Sequence, residues 1–178
     1  KIRVLIETSR FDEARSGLDS LFAMESGAEA WHLKGVLAMR TGEAAIGAAS
    51  MEKALELDPG HIEAGIALSR VAEQAGDHVR AAVILSGVHK AHPMNANILH
   101  RLGRAQIAHG DLAGARQSLE SALKIEKNSA PLYLDLAGLY EKMGRKSRAD
   151  LMIRRALERD PSLRQSILRG TPRGGSSR

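Results

Sequence analysis

Cysteine is absent from this 178-residue chain, which excludes disulfides, thiolate nucleophiles and cysteine-ligated metals but does not fix a compartment. Aromatic residues are nearly absent as well: one Trp, two Tyr and two Phe. So few rings cannot supply the stacking platforms on which single-stranded nucleic acid is held. The apolar quota falls instead to alanine, leucine and glycine, which suits helices packed closely through small residues. No apolar run approaches the roughly 18 residues of a membrane span. The opening stretch from Lys1 to Glu7 breaks into charge after short apolar pairs, unlike a signal peptide. It also lacks a starting Met, so an upstream segment is expected, and with it room for a targeting signal or a further domain; for this segment itself a cytoplasmic setting is favoured. The alanine-, arginine- and glycine-rich composition suits a bacterial source.

One sign of charge is lopsided only at the end. Of the net +5, Arg164, Arg169, Arg173 and Arg178 supply four, and no acid follows Asp160, which leaves +1 on residues 1–163. A near-neutral body with a basic tail does not present the broad positive face that tracks a phosphate backbone, and nucleic acid is disfavoured as a partner.

What the sequence has in abundance is self-similarity. Trp31, Gly35, Ala54 and Pro59 return 34 residues later as Gly65, Ser69, Val88 and Pro93. They return again as Leu99, Gly103, Ala122 and Lys127, then as Tyr133, Ala137, Ala156 and Pro161. A fixed period in this range marks a stack of supersecondary units. Within each unit the apolar spacing is helical twice over. Gly42, Gly76, Gly110 and Gly144 punctuate the two halves, since glycine accepts the left-handed conformation that closes a helix. Glu43, Asp77 and Asp111 suit the start of the second helix, while Arg145 is a weaker start in the last unit. Gly35, Ser69, Gly103 and Ala137 are expected where the two helices come closest, facing Gly47, Ala81, Ala115 and Ala149. Larger residues flank that contact, and Trp31 among them is expected to be a core anchor.

The pattern resembles the tetratricopeptide repeat: four full copies at 28–61, 62–95, 96–129 and 130–163, and a partial copy at 1–27. Lys34, Gly65 and Lys127 depart from its usual residues. Residues 164–169 are expected to form a short capping helix and 170–178 a flexible basic tail. The resemblance implies an all-α, right-handed superhelical solenoid of antiparallel helical hairpins. It also implies a concave groove lined by the first helix of each hairpin. Read onto this sequence, the groove residues are His32, Val36 and Met39 in the first unit and Ile66, Arg70 and Glu73 in the second. The third unit adds His100, Arg101, Arg104 and Ile107, and the fourth Leu134 and Asp135.

Arg70, Arg101 and Arg104 make a cluster of guanidiniums suited to an acidic side chain or a free C-terminus. Glu73, one turn from Arg70, is the nearest sequence-level candidate to neutralise it. Two known uses of the family are not matched. At the positions of a chaperone-tail clamp stand His32, Val36, Ala67, Asn97 and Arg101, of which only Arg101 fits. An asparagine ladder would need Asn where Leu33, Ala67, Arg101 and Asp135 stand.

Catalytic signatures are missing. There is no P-loop, dinucleotide glycine motif, nucleophile elbow or His-Glu-x-x-His. His89 and His92 lack a third ligand in sequence, and His32 and His100 lie two repeats apart. No cofactor and no metal are expected. The reading is a non-catalytic interaction scaffold that holds a protein or peptide in its groove. The alternatives are self-association through open ends or the Arg tail, and a regulatory arm of a larger enzyme.

Overall fold

The computed structural model describes residues 1–24, 26–165 and 167. Among them ten α-helices follow one another: α1 (Ile2–Glu7), α2 (Phe11–Met24), α3 (Ala28–Arg40), α4 (Ala44–Leu57) and α5 (Ile62–Gln74). Then come α6 (His78–Ala91), α7 (Ala96–His109), α8 (Leu112–Ile125), α9 (Ala130–Lys142) and α10 (Lys146–Arg159), closed by a 3-10 turn at Pro161–Leu163. The architecture is an all-α, right-handed solenoid of antiparallel hairpins, and none of the described helices is long and apolar enough to cross a membrane. Of the cap expected at 164–169, only residues 164, 165 and 167 are described, and the tail at 170–178 lies outside the described residues.

Each hairpin turns on the punctuation seen in the sequence. Gly42, Gly76, Gly110 and Gly144 all have positive φ, between 70° and 93°, which a β-carbon would strain. The residue after each glycine opens the next helix. Asp77 accepts a hydrogen bond from the Arg80 N–H and Asp111 from the Gly114 N–H, each at 2.9 Å. Glu43 and Arg145 make no such side-chain cap. The capped helices α6 and α8 therefore gain about 1 kcal/mol each over an Ala at the same place.

Close approach within a hairpin is set by the small residues. A β-carbon built on Gly35 would sit 2.9 Å from the Met51 Cε and 3.1 Å from the Gly47 carbonyl oxygen. One on Gly103 would sit 2.7 Å from the Leu119 Cγ. Packed this way, the hairpins bury a strip of core rather than a ball. Four clusters run along it, for example Leu5, Ile6, Leu18 and Leu37 near the start and Leu119, Leu132, Leu136 and Leu139 near the end. The Leu132–Leu136–Leu139 side of α9 completes the cluster begun by α7 and α8, so each unit buries its neighbour's open face.

Trp31 departs from its expected role. It is only half-buried, meeting Phe22 edge to face at 5.1 Å, with the Lys34 ammonium 4.9 Å from its ring centre. It also packs against the cluster of Met51, Ala54, Ala64 and Leu68, whereas Leu99 and Tyr133, its counterparts, are 3% and 4% exposed.

Gly65, the odd residue at that same repeat position, is explained by Val88. Where the other units pair a bulky residue with Ala54, Ala122 or Ala156, this one pairs glycine with a fully buried valine. A β-carbon on Gly65 would run into the Val88 Cγ2. Gly65→Ala is therefore expected to destabilise by about 1–3 kcal/mol through overpacking. Gly65→Leu combined with Val88→Ala, which recreates the Leu99/Ala122 arrangement, should be more stable than Gly65→Leu alone in thermal unfolding. Equal stability of the single and double variants would contradict the exchange.

Candidate binding groove

The first helices α3, α5, α7 and α9 carry the side chains expected to line the groove. Contacts between α5 and α7 and between α7 and α9 set these helices side by side. The structure divides the expected residues into two kinds. Val36, Met39, Ile66 and Ile107 turn towards the core: Val36 joins two apolar clusters, and Ile66 and Ile107 each pack against one. Met39 covers Gly47, where a built β-carbon would be 2.8 Å from the Met39 Cγ. Leu134 is half-buried. His32 is 5% exposed, which removes it from direct contact with a docked segment.

The polar residues are the ones left facing outward. Arg70 on α5 and Arg104 on α7 are exposed, and Arg101 and Glu73 are half-buried. Glu73, Arg101 and Arg104 line a cleft of about 190 Å³, with His78 at the start of α6 on its wall. Arg101 donates from Nε to the Asn97 Oδ1 at 3.1 Å, one turn earlier, which steadies its guanidinium. Glu73 forms no ion pair within 4.0 Å with Arg70 among the described residues, so the neutralisation suggested by the sequence is not a direct contact.

A different acid reaches one of the arginines. Asp135 on α9 lies with its Oδ2 2.5 Å from the His100 Nε2 and 4.0 Å from the Arg104 Nε. Of the three guanidiniums, Arg104 alone meets a carboxylate within 4.0 Å among the described residues. The sequence did not reveal this because the contact joins consecutive units: His100 and Arg104, one turn apart on α7, straddle a residue of the next first helix. Arg104 keeps 68% of its side chain exposed, and so retains donors for a ligand.

Two groups near the other end of the row titrate abnormally. Burial pushes the His32 ring below its usual range, helped by the neighbouring His61, and Glu29 and Glu63 only partly oppose this. Burial pushes the Glu29 carboxyl up, but His32 and hydrogen bonds from His61 and Arg3 outweigh it and hold Glu29 below the ordinary glutamate value. His61 was not singled out by sequence reading. Its signal was there: it opens α5 beside the start of α3, one unit back, where Glu29 and His32 share a helical face.

Residues 72–119 and 106–169 match one tetratricopeptide repeat family model, and residues 1–62 match a second. No curated protein matches the sequence. Among solved structures, MamA AMB-1 is similar at 23% identity and a TM-score of 0.73, over 95% of this chain and 93% of that one. MamA MSR-1 is similar at 25% identity and 0.71, over 89% and 92%. MamA 41-end from Desulfovibrio magneticus RS-1 is similar at 17% identity and 0.75, over 90% and 92%. Near-complete coverage in both directions extends the shared fold to the whole described row of hairpins.

The Asp135 contacts are partly solvated, so removing them should matter little to folding. Asp135→Asn is expected to change stability by about 1 kcal/mol or less, measured as a shift in urea midpoint. A loss several times larger would mean that the His100–Asp135–Arg104 group is a structural clamp rather than part of an open face.

Proposed function

Since the protein belongs to the tetratricopeptide repeat family, whose repeats serve as protein-interaction scaffolds, we propose that it is a non-catalytic adaptor that docks an acidic partner segment along α5 and α7. The single observation that carries this reading is the cleft of Glu73, Arg101 and Arg104, with Arg70 exposed beside it. Apolar groups are withdrawn into the core along this stretch, and guanidiniums are left to the solvent. Guanidiniums prefer carboxylates because their forked donors match the two oxygens. Both an Asp/Glu side group and a free C-terminus present that carboxylate. A strongly basic segment would meet the arginines and be repelled.

A second reading has its own observation. The N-terminal end of the row leaves Met24 88% exposed and Val4 58% exposed. Ile2, Leu5 and Leu21 line an open cleft beside them. Exposed apolar groups beside an apolar-lined cleft favour association with a second copy of this protein.

Capture of partners from native lysate, with the wild-type protein and the Arg70→Glu/Arg104→Glu variant in parallel, tests the leading reading. Each charge-assisted hydrogen bond lost is worth about 1.5–3 kcal/mol, so the variant should release a partner that the wild type retains while keeping its helical circular dichroism. Equal retention by both proteins would overturn the groove reading. Retention only of further copies of this protein would favour the second.

A further inference from the structure

We propose that Glu29, His32 and His61 form a binding site for one divalent transition-metal cation of the zinc type, bridging α3 to α5. Among the described residues they are the one group of His, Asp and Glu that brings three ligand atoms within 4.8 Å of one another. The His61 Nε2 lies 3.2 Å from the Glu29 Oε2 and the His32 Nδ1 lies 3.5 Å from the same oxygen. A tetrahedral ion with bonds of about 2.0–2.1 Å keeps neighbouring ligand atoms about 3.3 Å apart. Two of the three separations therefore fit without movement of the backbone, and the two rings stand 4.8 Å apart between centres.

Three further features point to a ligand. The His32 Nδ1 is buried and has no hydrogen-bond partner, on a ring only 6% exposed. An orphaned buried nitrogen is costly unless something coordinates it. His78 and His89 also leave a ring nitrogen unpartnered, but neither stands in such a group. The Glu29 carboxylate is divided between two tasks: Arg3 of α1 donates to Oε1 at 3.2 Å, and Oε2 is the atom offered to the histidines. That is the way an outer partner aims a metal ligand.

His61 has a waiting outer partner of its own. Its Nδ1 accepts the Ala64 N–H at 3.3 Å, so in the neutral ring Nε2 carries the proton and donates to Glu29. On binding a cation, Nε2 gives up that proton to become a ligand, and a proton taken up at Nδ1 faces the Glu63 Oε2, 3.6 Å away. The ring stays neutral overall, exchanging a helix cap for a carboxylate contact. Around the mouth, Asp58, Glu63 and Glu29 outweigh Arg3, and His92 is held on the Gly60 carbonyl at 2.8 Å. Two imidazoles and one carboxylate suit zinc, copper, nickel or cobalt over the hard cations, which favour all-oxygen sites. Half-exposed Glu29 leaves the remaining coordination positions to water.

Calorimetric titration of the chelator-treated protein with zinc chloride tests this. One equivalent should bind, magnesium chloride should give no such binding, and cobalt chloride should develop the visible bands of a low-coordinate site. Glu29→Gln and His61→Gln should each weaken zinc by about tenfold or more, and Glu63→Gln by about 10–100-fold. His78→Gln and His89→Gln should leave the isotherm unchanged. Zinc should also raise the melting temperature of the wild type more than that of Glu29→Gln. Glu29 is exposed, so that variant decides the matter even if His61→Gln folds poorly. Undiminished zinc binding by folded Glu29→Gln, or no stoichiometric binding by the wild type, would overturn the site.

Discussion

Everything in this protein depends on how closely two antiparallel helices can approach at one small residue per unit. Gly35 and Gly103 leave no room for a β-carbon against Met51 and Leu119. That contact fixes the hairpin, the hairpin fixes which sides of its helices remain apolar and unpartnered, and the next hairpin must cover them. The core is consequently a series of linked clusters, each shared by adjoining units, and not a single centre. Stability in such a row is a sum of local and nearest-neighbour terms. A change at one joint is felt chiefly there.

The exchange between Gly65 and Val88 shows that bulk can pass from one side of the joint to the other. The second unit moves its bulk from the first helix to the second, where Val88 fills the space a side chain at Gly65 would take. The same constraint shapes the outer face. Because Val36, Ile66 and Ile107 are recruited inward to fill the strip, the residues left along α5 and α7 are arginines and acids. Under the proposed reading, a groove built this way would recognise by charge and by forked hydrogen bonds, with little apolar contact. It should therefore be sensitive to ionic strength, since exposed charges are screened over about 8–10 Å at ordinary salt.

The repeat, its glycine turns and the Asp77 and Asp111 caps were legible in the sequence because each depends on residues close together along the backbone. Gly65 was visible as a departure from pattern, but only packing tied it to Val88. Asp135 and His61 were harder. Both act across a joint between units, so their partners lie about a full repeat away and no local spacing announces them. Laying the sequence out on the repeat lattice, with the start of each first helix beside the start of the last, would have brought His61 next to Glu29 and His32. Trp31 was legible as a bulky position but not as a half-buried one, since spacing alone does not say how far a ring is covered.

Whether α5 and α7 present a charge-selective face to an acidic partner is tested most directly by backbone amide shift mapping. The isotope-labelled protein would be titrated with a hexaglutamate peptide, and with hexalysine as control. The account predicts saturable shifts centred on Arg70, Arg101 and Arg104, with none from hexalysine there. Shifts spread over the second helices α4, α6 and α8, or no response to hexaglutamate at low salt, would contradict it.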